Sequence, residues 1–167
     1  IRIYKLDAHG IFTDEKYTML NANGIRVGGF NQPELLNKYF TPADFWRPKT
    51  IQDYFDAIAH SDFGTHISYN VLVHNWMIFF GNSDFVVRLL SVILNLLTIL
   101  LVFTFLKNNF SSKIPAYISC FLLAIEPLNM AQSHVARSYT FSFLLVVLSS
   151  IVFISILKNQ RNLVLKF

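Results

Sequence analysis

The sequence predicts an all-α membrane protein, a multi-spanning bundle of transmembrane helices with short amphipathic helices in its first extracytoplasmic loop. Three observations predict it. Apolar residues fill 53% of the 167 positions, and mean hydropathy is +0.43. Charged residues make up only 14%, against about 25% in a typical soluble domain. The charge is also segregated, with most of it in residues 1–66 and little in residues 67–157, the pattern of an aqueous segment followed by a membrane region.

Helix signals run along the aqueous segment. Thr13 is placed to cap a helix that carries Asp14 and Glu15 in its first turn, where the helix dipole favours negative charge. Gly24 is placed to close that helix in the left-handed conformation. A second short helix is expected from Pro33 and another from Thr41-Pro42, ended by Pro48. Thr50 and Asp53 form a capping-box pair ahead of Ile51, Tyr54, Phe55 and Ile58, an apolar stripe at helical spacing. That stripe suits a membrane surface or the protein's own core.

The membrane region opens with Ile67–Phe80, apolar but short of the roughly 20 residues a span needs. It reads as a re-entrant, interfacial or protein-buried helix, ended by Gly81-Asn82, with Ser83 capping the next helix. Three spans are expected after it, at about 85–106, 114–130 and 138–157. The last carries no formal charge. Arg88 and Glu126 lie in or beside these runs. Ionisable groups are costly in lipid, so both should sit at an interface or face protein.

Basic residues set the orientation. Lys107 and Lys113 bracket one connection, Lys158, Arg161 and Lys166 follow the last span, and the 131–137 connection holds only Arg137. Lys-rich connections face the cytoplasm. Residues 158–167 are then cytoplasmic. Residues 1–66 and 131–137 share the outer side, which brings Asp14, Glu15, Asp62 and Arg137 to one face of the bilayer. The chain begins at Ile1 rather than Met and ends just past an apolar run, so the expectation is an internal fragment with its N- and C-terminal parts missing.

Several classes receive no support. The net charge of +4 comes from scattered residues, several of them flanking apolar runs, without the basic stripe of a nucleic-acid binder. There is no Gly-rich phosphate loop, no CxxC pair and no HExxH motif. Cys120, the single cysteine, stands in an apolar run as a small hydrophobe.

Three polar clusters carry chemistry. In TDEKYTM, Asp14 and Glu15 are candidate catalytic carboxylates, able to take a proton from an acceptor hydroxyl. In SDFGTHISY, Asp62, His66 and Tyr69 are candidate lining residues. Asp62 and His66 form an Asp-x-x-x-His pair that leaves a divalent metal open, since a tight site needs further ligands. In SHVARSYTF, Arg137 stands at the outer mouth of a span, where a guanidinium can clamp a phosphate through two parallel hydrogen bonds. His134 and Tyr139 flank it as further binding candidates.

The order of these pieces, TDEKYTM, then SDFGTHISYNVLVHNWMIFFGNSDFVVRLLSVI, then SHVARSYTF, resembles the polyprenyl-phosphate-sugar-dependent glycosyltransferases of the GT-C fold. The resemblance covers roughly residues 10–157. It is to the branch of the protein O-mannosyltransferases and the lipid A aminoarabinose transferase, families 39 and 83. It implies Asp14 as catalytic base, with Glu15 beside it positioning acceptor or water, and Arg137 as a holder of donor phosphate. It implies transfer of a sugar from a polyprenyl-phosphate donor to a glycan, lipid or protein hydroxyl, with inversion at the anomeric carbon. It also implies a multi-pass protein of the bacterial inner membrane. The sequence departs from the family where His66 stands two places beyond the histidine of the relatives' Asp-x-His-Pro-Pro. Val135 also replaces a frequent Glu. Two rival readings are a transporter or flippase fragment, which needs polar groups near mid-bilayer, and a non-catalytic scaffold, which needs no cavity joining Asp14 to Arg137.

Overall fold

The computed structural model describes residue 3 and residues 6–26, 42–61 and 66–164. Every regular element among them is a helix: α1 (Thr13–Ala22), α2 (Pro42–Trp46), α3 (Ile51–Ser61), α4 (Ile67–Phe80), α5 (Asp84–Asn109), α6 (Ile114–Ile125), α7 (Pro127–Ser133) and α8 (Tyr139–Val164). The expected helix at Pro33 lies outside the described residues. The chain divides into two compact units. One comprises residues 3–90 with 135–138, and the other residues 91–134 with residues from Tyr139 on. Helix α5 begins in the former and continues in the latter.

In the first unit, α1 packs against both α3 and α4. Helix α1 is capped one residue earlier than its sequence signal suggests. Thr13 is the first helical residue, Phe12 is the N-cap, and Phe12 N–H donates to the Glu15 carboxylate at 2.9 Å. Glu15 thus reaches back to the N-cap backbone, and the capping role expected of Thr13 is not made. The other end follows the sequence. Gly24 has φ +67°, Gly24 N–H reaches Asn21 O and Ile25 N–H reaches Leu20 O, the paired bonds of a left-handed helix stop.

Thr50 and Asp53 form the expected capping box, with Thr50 N–H and Oγ1 both donating to the Asp53 carboxylate at 2.7 and 2.8 Å. The α3 stripe is split. Ile58 is buried and Tyr54 half-buried, while Ile51 and Phe55 are exposed. Within the stripe, Tyr54 and Ile58 lie toward the edge that α1 covers, and Ile51 and Phe55 toward the other edge.

Helix α4 has the bounds read from the sequence. At about 21 Å (14 residues at 1.5 Å), it falls short of a ~30 Å hydrocarbon core. Tyr69, Val73 and Met77, four residues apart, are almost wholly buried. Each such apolar side chain contributes roughly 1.5–3 kcal/mol. Trp76 Nε1–H donates to Val86 O at 2.8 Å, and Ser83 Oγ accepts from Val86 N–H. These bonds fix the turn into α5.

In the second unit, α5 and the stretch Tyr139–Lys158 of α8 are long and apolar enough to cross a membrane. The single span expected at 114–130 is instead two helices, bent by 62° between Ile125 and Pro127. The cause is local. Glu126 leaves the helix as the N-cap of α7, its carboxylate accepting from Leu128 N–H and Asn129 N–H, and Pro127 fills the first position of α7. Asn129 completes the elbow. Its Nδ2 donates to Leu123 O at 2.8 Å, and its Oδ1 accepts from Asn95 of α5 at 2.5 Å. Lys158 hydrogen-bonds Asn109 Oδ1, so α5 ends beside that part of α8. Lys107 lies near the same edge, two residues before Asn109.

Candidate functional site

The site forms in the first unit, where α1 meets the short segment 135–138. Glu15 and Arg88 anchor it. Arg88 Nη2 lies 2.6 Å from Glu15 Oε2 and Nε lies 2.9 Å from Oε1. The remaining Arg88 hydrogens go to the carbonyls of Leu6, His9 and Gly10. All five guanidinium donors are thereby used. On the other side, Glu15 also accepts from Ala136 N–H at 2.8 Å and from Phe12 N–H. Each carboxylate oxygen therefore takes two bonds. Burial pushes the Glu15 carboxyl up, but the Arg88 guanidinium and the two backbone N–H groups outweigh it and hold the group below the usual glutamate range. The pair is 1% and 6% exposed.

Asp14, next in sequence, has the opposite surroundings. It is half-buried, and its carboxylate makes no hydrogen bond or ion pair among the described residues. Its backbone carbonyl accepts from Arg137 Nη1 at 3.3 Å, and the same nitrogen reaches Thr18 Oγ1 at 3.2 Å. The Thr18 hydroxyl in turn donates to Asp14 O. Helical spacing explains the grouping, because Asp14 and Thr18 are one turn apart on one face of α1. Nε and Nη2 of Arg137 have no partner among the described residues, so one fork of the guanidinium is available.

Around Arg137, a narrow cleft is lined by Thr18, His66, Tyr69, Asn70 and Ser138. His66 Nδ1 lies 2.9 Å from Ser138 Oγ. His66 takes φ +65° just ahead of α4, a conformation uncommon for a residue with a side chain.

Of the residues singled out from sequence, Asp14, Glu15, His66, Tyr69 and Arg137 come together in one unit. Asp62 lies outside the described residues. His134 is half-buried in the other unit, and Tyr139 is exposed at the head of α8. Among the described residues, no group of three or more His, Cys, Asp or Glu side chains is placed to hold a metal ion. Sequence reasoning missed Thr18, Asn70, Ser138 and the Ala136 N–H. For Arg88 a signal existed, since an ionisable residue inside an apolar run points to a specific partner. Its partner was not readable from spacing.

A family model described as dolichyl-phosphate-mannose-protein mannosyltransferase matches residues 70–166. The match includes Arg88 and Arg137 and stops short of Asp14 and Glu15. No curated protein and no solved structure gives a significant match.

Proposed function

Because the chain belongs to the dolichyl-phosphate-mannose-protein mannosyltransferase family, a family of membrane glycosyltransferases of the GT-C type, we propose that it transfers a sugar from a polyprenyl-phosphate donor to a hydroxyl acceptor at the outer face of the membrane. The carrying observation is the junction of Arg137 with Asp14: among the described residues, a guanidinium with an open fork rests on the backbone of a residue whose carboxylate is uncommitted.

Asp14 acts as general base. It takes the proton of the acceptor hydroxyl as that oxygen attacks the anomeric carbon. The bond from that carbon to the lipid phosphate breaks, and the configuration inverts. The leaving phosphate gains charge, which the open edge of Arg137 meets with two parallel hydrogen bonds. Glu15 has a different role from the one its position beside Asp14 suggested. With all four lone-pair sites occupied it has no capacity to hold acceptor or water, so it is a positioning residue that ties α1 to the segment bearing Arg137. His66 and Ser138 flank Arg137 as donor-side contacts. Membership of a family named for dolichyl-phosphate-mannose supports a polyprenyl-phosphate donor. We place the site at the outer face of a bacterial inner membrane, on the strength of the lysine-rich connections of the sequence.

The test is Asp14→Asn in the full-length enzyme, assayed for sugar transfer alongside membrane insertion. Transfer should vanish and insertion should persist. Undiminished transfer sinks the base assignment. The same junction disfavours a scaffold, for which no such meeting of Asp14 and Arg137 is required.

A further inference from the structure

A second hollow of the first unit lies on the other side of α1 from Asp14 and Thr18. It opens between α1, Phe45 of α2 and the turn that leads into α5, with a volume of about 460 Å³, inside the roughly 300–1,000 Å³ range of small-molecule sites. Lys16, two residues past Asp14 and so on the far face of the helix, lines it together with Asn82 and Asp84. Lys16 and Asn82 are exposed and Asp84 is half-exposed, so all three are open to a ligand. Neither Lys16 nor Asp84 makes a hydrogen bond or ion pair among the described residues, with each other or with anything else. Arg88 stands one turn beyond Asp84, but all its donors go to Glu15 and to three backbone carbonyls. The remaining wall is apolar, with Ile11, Leu20 and Phe45 in it. One rim thus offers an ammonium and a carboxylate, both without a bonded partner, beside an apolar surface.

Helix length fixes the depth of this hollow in a bilayer. Helix α5 is apolar enough to cross a membrane, and Asp84 is its first residue. Its 26 residues rise about 39 Å, about 9 Å more than the hydrocarbon core. A carboxylate at the end of such a span stays out of the hydrocarbon, so Asp84 lies among lipid headgroups. Phe12 and Phe80, chain neighbours of the hollow's Ile11 and Asn82, are 62% and 60% exposed, as befits side chains that meet lipid.

We propose that this hollow binds the headgroup of phosphatidylethanolamine. The lipid's phosphate meets Lys16. Its primary ammonium donates to the Asp84 carboxylate and the Asn82 amide oxygen, and the glycerol and upper acyl carbons lie on Ile11, Leu20 and Phe45. A lipid with an anionic headgroup offers nothing to Asp84, and the quaternary ammonium of phosphatidylcholine has no N–H to donate. The site is independent of the transfer reaction, because Lys16 and Asp84 take no part in the Asp14–Arg137 junction.

Lipid titration of the full-length protein in detergent, followed by native mass spectrometry, tests this. Phosphatidylethanolamine should saturate one site about tenfold more tightly than phosphatidylglycerol or phosphatidylcholine. Asp84→Asn should bring phosphatidylethanolamine down to the phosphatidylglycerol level and leave phosphatidylglycerol unchanged, whereas Lys16→Gln should weaken both about tenfold. Melting temperature monitors folding, and Asp84→Glu, which keeps the charge, should keep the preference. Equal affinity for the three lipids, unchanged phosphatidylethanolamine binding in either neutral variant, or a preference lost in Asp84→Glu would overturn the site. Free phosphoethanolamine binding as tightly as the lipid would overturn the lipid as its occupant.

Discussion

Glu15 and Arg88 stand 73 positions apart in the chain and meet as a buried ion pair at 2.6 Å. The same carboxylate holds the N–H of Ala136, the residue before Arg137. One side chain thus ties three separate stretches together: the start of α1, the start of α5 and the segment 135–138. Asp14 and Arg137 owe their proximity to it.

Breaking that pair from one side leaves a buried charge without its partner. Arg88→Ala should destabilise the protein by about 3–5 kcal/mol, read as a lower melting temperature in detergent. Arg88→Lys should rescue little of this, because one ammonium cannot reproduce a five-donor fork. An Arg88→Ala protein as stable as the parent would show that the pair anchors nothing.

The pair also sets an acid limit. The folded state holds the Glu15 carboxyl below its ordinary range, so it binds fewer protons there than the unfolded chain does. Its stabilising contribution is complete above the ordinary glutamate range and is lost as pH falls through the depressed folded value. Melting temperature should decline over that window. Glu15→Gln should be less stable at neutral pH and show a shallower acid decline. An identical pH slope in the variant would assign the acid sensitivity elsewhere.

Arg137→Lys keeps the charge and loses the bidentate edge. Turnover should fall roughly 10²–10³-fold, the usual cost of removing a donor to a developing anion, with melting temperature nearly unchanged. Wild-type turnover in this variant would remove Arg137 from the donor phosphate.

Gly24 tests the closure of α1. Its φ of +67° disfavours any side chain, and an added Cβ would meet Tyr54 Cδ1 at 3.3 Å and Lys49 Cγ at 3.4 Å. Gly24→Ala should cost about 1–2 kcal/mol from backbone strain, seen as earlier thermal unfolding.

Much of the fold was legible because it rests on local signals. Thr50 with Asp53, Gly24, Ser83 and the Ile67–Phe80 run each act within a few residues, and each appears where its chemistry placed it. The all-helical membrane class followed from composition and the apolar runs. What stayed hidden depends on partners distant in sequence. Nothing near Glu15 announces Arg88 or Ala136, so spacing alone does not separate two adjacent acids, one committed and the other without a side-chain partner among the described residues. The exposure of Ile51 and Phe55 depends on which side of α3 is covered by α1, which periodicity does not state. At Glu126-Pro127 the signal was present and read too weakly. An acid before a proline is a helix start as well as a span end, and hydropathy averaged over a window passes across a one-residue break.

That break also limits how much bilayer the region can cross. Helix α6 has 12 residues, about 18 Å of rise, and the seven residues of α7 add about 5 Å more along the same axis after a turn of 62°. Even with α6 upright, the two together reach about 23 Å of a hydrocarbon layer roughly 30 Å deep. A membrane around this elbow meets less helix than it is thick, a shortfall that local thinning of the lipid or cover from neighbouring helices makes up.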